Sequence, residues 1–187
     1  MKYPENSIDK FLTAIASRKP TPGGGSAAAL SGSLAAALLA MSCRLTDNEI
    51  CKAIIVEAET IRRRLEQLID EDANSYRDYL RATIPEKETA LKNAALIPFE
   101  TATLSFRILE LTNEIITACR KSVITDTGTA ALLAEAAVHA ACFNTAINLK
   151  SIDDTIFREE MGTKLKSFAS SSVIRQAIIN YVNNQLG

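Results

Sequence analysis

Two carboxylates, two amides and a run of three glycines are the parts of this sequence best suited to chemistry. The segment Thr21-Pro22-Gly23-Gly24-Gly25-Ser26 leads directly into an alanine-rich stretch. A flexible turn feeding a helix N-terminus exposes unpaired backbone N–H groups and a partial positive charge, which suits a carboxylate or a phosphate. No Gly-Lys-Ser/Thr follows and no strand precedes it, so neither a nucleotide P-loop nor a dinucleotide fold is implied. The competing explanation is a tight turn between closely packed helices, with Ser26 as N-cap. Asp72 interrupts the apolar stripe Leu65, Leu68, Tyr76, Tyr79, and a carboxylate turned toward a core must be paired, protonated or facing a cavity. Asp126 falls in the segment Ile124-Thr125-Asp126-Thr127-Gly128, where it could act at a site or simply cap a helix. Asn144 and Asn148 stand one turn apart on the small-residue face of Ala137 and Ala141, where buried amides require partners.

Other reactive residue types carry less. His139 is the single histidine, with Glu135 one turn before it. No Ser or Cys is spaced to complete a triad, so a structural or surface role is expected. Arg62-Arg63-Arg64 reads as the solvated face of a long helix. The four cysteines, Cys43, Cys51, Cys119 and Cys142, have no Cys-x-x-Cys spacing. They imply buried thiols in a reducing compartment rather than a metal site. No metal, flavin or nucleotide cofactor is expected.

The elements that must position these residues are helices. Apolar residues make up 47% of the 187 residues and charged residues 23%, an ordinary globular balance that suits one domain over 1–187. A net charge of -1 supplies no attraction for nucleic acid or anionic lipid. The opening residues lack the apolar core of a signal peptide, so the cytoplasm is expected. Thr21 to Cys43 carries no charge, but its Ala, Gly and Ser content gives little drive for membrane insertion. Ala28, Gly32, Ala36 and Ala40 form a smooth stripe suited to a buried central helix.

Periodicity predicts a short helix from about Ser7 to Ala16, then the alanine-rich helix. A third helix runs to about Arg81, with Thr46-Asp47-Asn48-Glu49 as its capping box. Thr83-Ile84-Pro85-Glu86 opens a fourth, kinked at Pro98 and ending near Lys121. After the Ile124–Gly128 break comes a second alanine-rich helix to Lys150. A last helical region follows, interrupted near Ser170-Ser171-Ser172. The sum is an all-α bundle of about six long antiparallel helices.

Four of these segments, taken in order, resemble the formiminotetrahydrofolate cyclodeaminase and methenyltetrahydrofolate cyclohydrolase family. They are Pro22-Gly23-Gly24-Gly25-Ser26 with the helix ending Met41-Ser42-Cys43-Arg44-Leu45-Thr46, then Asp70-Glu71-Asp72-Ala73, then Thr125-Asp126-Thr127-Gly128-Thr129-Ala130-Ala131, and Asn144-Thr145-Ala146-Ile147-Asn148-Leu149-Lys150. The resemblance covers nearly the whole chain. It implies an all-helical homodimer acting on a tetrahydrofolate-bound one-carbon unit, either opening the methenyl ring with water or closing the formimino form with loss of ammonia. It makes Asp72 and Asp126 candidate catalytic residues, with Pro22, Gly23, Gly24, Gly25, Ser26, Asn144 and Asn148 candidate substrate-binding residues.

On that basis Asp72, with a raised pKa, would move a proton beside the one-carbon unit. Asp126, ionised near a helix N-terminus, would face the cationic amidinium. The asparagines would orient pterin amides, and the glycine N–H groups would hold a substrate carboxylate. The chain also departs from the family pattern. It lacks a basic Lys-x-x-Arg stretch between Pro85 and Pro98, has Ala146 where an arginine is usual, and has Arg44 for an asparagine. Fewer cations remain for the glutamate carboxylates of a folate. The rival readings are the same bundle acting on another amidine, and a non-catalytic binding or assembly module.

Overall fold

A computed structural model describes residues 2–187. Among them there is no strand, and seven α-helices follow one another, joined by short 3-10 turns. They are α1 (Ile8–Ile15), α2 (Gly24–Thr46), α3 (Glu49–Arg81), α4 (Lys87–Ile115), α5 (Ile124–Leu149), α6 (Thr155–Lys166) and α7 (Ser171–Leu186). The architecture is the expected all-α bundle, with the last helical region divided in two by a 3-10 turn at Ser167–Ser170.

The uncharged helix α2 forms the centre. It packs on α3, α4 and α5, burying Ala28, Gly32, Ala36 and Ala40. Gly32 allows the closest approach: a Cβ there would stand 2.4 Å from Ser105 Oγ of α4 and 3.2 Å from Leu65 of α3. By length and composition α2 and the stretch Lys121–Leu149 could each cross a membrane, but most of α2 is enclosed by its neighbours. The surrounding core is Leu39, Leu65, Leu68, Ile108, Leu109 and Ile115, all fully buried. Truncating any one of these to alanine leaves a hole costing about 2–5 kcal/mol.

Local signals explain most helix ends. Ser7, Asn48 and Asp154 each accept a backbone N–H at their helix start. Thr83 and Glu86 form a reciprocal capping box before α4. Thr46-Asp47-Asn48-Glu49 is not one. Asn48 alone caps α3, and Asp47 takes a left-handed conformation (φ 54°) that closes α2. Pro98 lies buried inside α4, which continues through it. The break after α4 falls earlier than its Asp-Thr-Gly sequence suggests: the chain turns at Cys119 and Arg120, and α5 begins at Ile124.

Candidate active site

The N-terminus of α2 is where the chemistry gathers. Gly23 is the N-cap, and Gly24, Gly25 and Ser26 form the first turn. Ser26 is therefore not the N-cap. It is fully buried within that turn, and its hydroxyl oxygen lies 3.0 Å from Ile69 O of α3 and 2.9 Å from Asp72 Oδ2, so its single proton is shared between the two acceptors. The anion expected at this helix end is thus supplied by the chain itself. A Cβ on Gly25 would stand 2.0 Å from Asp72 Oδ1, so only glycine lets the carboxylate rest against the first turn. Pro22, joined to Thr21 by a cis peptide, is buried just before it.

Burial is the dominant influence on Asp72 and pushes its carboxyl above the usual range. The Ser26 hydroxyl and backbone N–H oppose that rise by stabilising the ionised form.

In front of Asp72 opens a cleft of about 220 Å³, lined by Gly23, Gly24 and Gly25, by Tyr76 and Tyr79 of α3, and by Asn144 and Asn148 of α5. The two asparagines are oriented by backbone carbonyls. Asn144 Nδ2 donates to Ala140 O (2.8 Å) and Asn148 Nδ2 to Ala94 O (2.6 Å). One N–H of each amide is thereby engaged, which fixes the side chain and leaves Oδ1 as an acceptor and the second N–H as a donor for a bound molecule. Gly24 is the companion of Asn144, since a Cβ there would meet its amide at 3.3 Å. Asp72 is the one carboxylate among the lining residues, and no lysine or arginine lines the cleft. Such a site favours a cation or a neutral heterocycle over an anion.

Asp126 is not brought to this cleft. It sits half-buried in the first turn of α5, inside the helix rather than in a loop before it, and it is not the N-cap, which is Val123. Eighteen residues separate it from Asn144, about 27 Å along the helix axis. Within one chain Asp72 and Asp126 cannot face the same carbon.

His139 is remote as well. Its Nε2 lies 3.3 Å from Ser172 Oγ, 3.4 Å from Ser171 Oγ and 3.7 Å from Glu135 Oε1, so hydroxyl and acid meet one ring nitrogen instead of opposite ones. Glu135 is itself held by Arg175 (2.7 Å). That is not the relay of a triad. Among the described residues no group of three or more His, Cys, Asp or Glu could hold a metal ion.

Tyr76 and Tyr79 were expected in the core, yet Tyr76 is exposed and both face the cleft. The signal was present: they lie four and seven residues beyond Asp72, on the same helical stripe.

The family model for formiminotransferase-cyclodeaminase matches residues 7–167, which span the glycine turn, Asp72 and both asparagines. The chain belongs to that family. A methenyltetrahydrofolate cyclohydrolase of Methylorubrum extorquens is 30% identical, over 96% of this chain and 97% of its own length. The formimidoyltransferase-cyclodeaminase of Mus musculus is 25% identical over 94% of this chain, which spans 36% of the mouse protein. Among solved structures, a formiminotetrahydrofolate cyclodeaminase from Thermotoga maritima matches with a TM-score of 0.93 at 26% identity, covering 98% of this chain and 99% of that one.

Proposed function

We propose that this chain is a folate one-carbon enzyme, a methenyltetrahydrofolate cyclohydrolase, with Asp72 as the proton-transferring residue. The observation that carries the reading is the lone carboxylate with a raised pKa, set in an otherwise uncharged cleft between a glycine turn and two oriented amides. The methenyl substrate is a cation, and a single carboxylate complements it. Asn144 and Asn148 offer Oδ1 acceptors to the N–H groups of a pterin. Tyr76 and Tyr79 offer aromatic surface to its ring.

The chemistry needs one shuttle. Ionised Asp72 takes a proton from water as the oxygen bonds to the amidinium carbon, giving a neutral carbinolamine. Asp72 then returns that proton to N5 as the carbon–N5 bond breaks, and the hydroxyl proton leaves to solvent with formation of the N10-formyl group. A carboxyl whose pKa is lifted toward neutrality serves both halves.

The likeness to the Thermotoga maritima cyclodeaminase favours a second reading on the same machinery. N10 would add to the carbon of the protonated formimino group, and the N10 proton would pass through Asp72 to its nitrogen, which leaves as ammonia with formation of the methenyl cation. Hydrolysis is favoured because the cyclohydrolase relative is the more similar in sequence, 30% identical against 26%, at near-complete coverage of both. The retained glycine, Asp and Asn geometry speaks against a non-catalytic module.

Two further parts belong to this proposal. The enzyme acts as a homodimer: the neighbouring helices α2 and α5 leave Leu34, Leu132, Phe143 and Ile147 exposed, an apolar surface that a second copy would cover. In such a dimer Asp126 would serve the cleft of the other subunit. Four free thiols suit the reducing cytoplasm.

Incubation with 5,10-methenyltetrahydrofolate, followed by loss of its near-ultraviolet absorbance against a no-enzyme control, tests the hydrolase. Ammonia release from 5-formiminotetrahydrofolate tests the lyase. Turnover of neither by folded protein would refute the proposal.

A further inference from the structure

A second hollow adjoins the cleft. Ser75, on α3 between Asp72 and Tyr76, lines both the cleft and a groove of about 740 Å³ running between the end of α3 and the start of α4. The cleft has room for a fused bicycle and little more. Anything attached to that bicycle at its N10 end must leave it, and the groove through Ser75 is an open path. Along this path Arg81 follows Asp72 by nine residues, about 13 Å along the helix axis. A benzoyl ring, its amide and one glutamate span a comparable length.

The groove contains two arginines, but they are not equivalent. Arg64 is fully engaged, donating to Glu71 (2.5 and 2.9 Å) and Glu100 (2.7 and 2.8 Å). Arg81 is exposed at the far rim and, among the described residues, makes no ion pair. Around it stand Asp78 and Glu86, and beyond it a smaller hollow holds Lys2, Arg77 and Asp70. Across the two hollows four cations face five carboxylates, so the surface past Arg81 offers no net positive charge to a chain of further anions.

We infer that the α3–α4 groove receives the benzoylglutamate tail of the folate, that Arg81 is the residue binding its terminal carboxylate, and that the site is built for short rather than polyglutamylated tails. The inference rests on the folate reading above and adds where the tail lies and how long it is. One free guanidinium fits one carboxylate bidentately. Each further glutamate then meets Asp78, Glu86 and Asp70 as often as it meets a cation, and gains little.

The probe is 5-formyltetrahydrofolate with one or with three glutamates, which neither proposed reaction consumes. Dissociation constants by titration calorimetry on the wild-type protein and on Arg81→Gln separate the possibilities. The expected result is a triglutamate affinity less than fivefold tighter than the monoglutamate, and a loss of fivefold or more for the monoglutamate in Arg81→Gln. A triglutamate bound fivefold tighter or more, or an Arg81→Gln protein that is folded by circular dichroism and binds within fivefold of wild type, would overturn it. The double variant Asp78→Asn, Glu86→Gln should shift the preference toward the triglutamate. Binding with this pattern but without turnover of either folate substrate would refute the catalytic reading and leave the tail site standing. No binding of either probe refutes both.

Discussion

At the scale of single residues, the account turns on what holds Asp72 above its ordinary pKa. Because burial penalises the ionised form, the acid limb of kcat/KM should lie above the usual carboxylate range, with the rate falling as Asp72 gains its proton. Ser26→Ala removes the hydroxyl that favours the ionised form, so the same limb should move to higher pH. A limb unmoved in Ser26→Ala would dissociate that bond from catalysis. The sign of the stability effect follows from the same shift. The folded state holds the Asp72 proton more tightly than the unfolded chain does, so its contribution is full at pH below the ordinary aspartate range and fades as pH rises through the raised value. Urea melts of wild type and Asp72→Asn across that interval should therefore converge at low pH and diverge at higher pH, with the variant the more stable partner there except for the loss of its contact to Ser26. Asp72 could be picked out of the sequence because it broke an apolar stripe. Ser26 was named as well, as an N-cap or a substrate-binding residue, but its pairing with Asp72 was not legible, since nothing local distinguishes a serine that caps a helix from one buried within its first turn.

At the scale of elements, two glycines give opposite predictions. In α2, Gly25→Ala drives a methyl group into the Asp72 carboxylate, and the cost of displacing it should exceed the better helix propensity of alanine. We expect a loss of about 1–3 kcal/mol in thermal or urea denaturation, accompanied by loss of turnover. In α6, Gly162 has nothing within 4 Å of where a Cβ would stand, so Gly162→Ala should stabilise by about 0.5–1 kcal/mol and leave turnover unchanged. Stabilisation by both would mean that the close contact at Gly25 is not real. The helices themselves were readable from their 3.6-residue apolar spacing, as was the buried small-residue stripe of α2. Misjudged boundaries share one cause. Thr125, Asp126, Thr127 and Gly128 are turn formers by type, yet they continue a helix because the flanking Val123, Ile124, Ala130 and Ala131 are buried by tertiary packing. The tyrosines were assigned to the core because periodicity identifies a face and cannot say whether that face meets protein or a cavity.

At the scale of the whole molecule, the distance between Asp72 and Asp126 becomes a prediction about assembly. If both act at one cleft they must come from different subunits, since α5 separates Asp126 from Asn144 by about 27 Å. Mixing inactive Asp72→Asn with inactive Asp126→Asn, after dissociation and reassociation, should then restore up to about a quarter of wild-type activity through heterodimers with one intact site. No recovery from a mixture that sedimentation shows to be dimeric would remove Asp126 from the cleft. The convergence of the glycine turn, Asp72, Asn144 and Asn148 was foreseeable only through the family resemblance, because sequence spacing carries no information on which helices become neighbours. The most direct measurement is the decay of 5,10-methenyltetrahydrofolate absorbance catalysed by wild type and by Asp72→Asn, with folding of the variant verified by its thermal transition. The account predicts that wild type hydrolyses the substrate and that the variant, still folded, loses at least about a hundredfold in kcat. A folded Asp72→Asn protein turning over at the wild-type rate would contradict it.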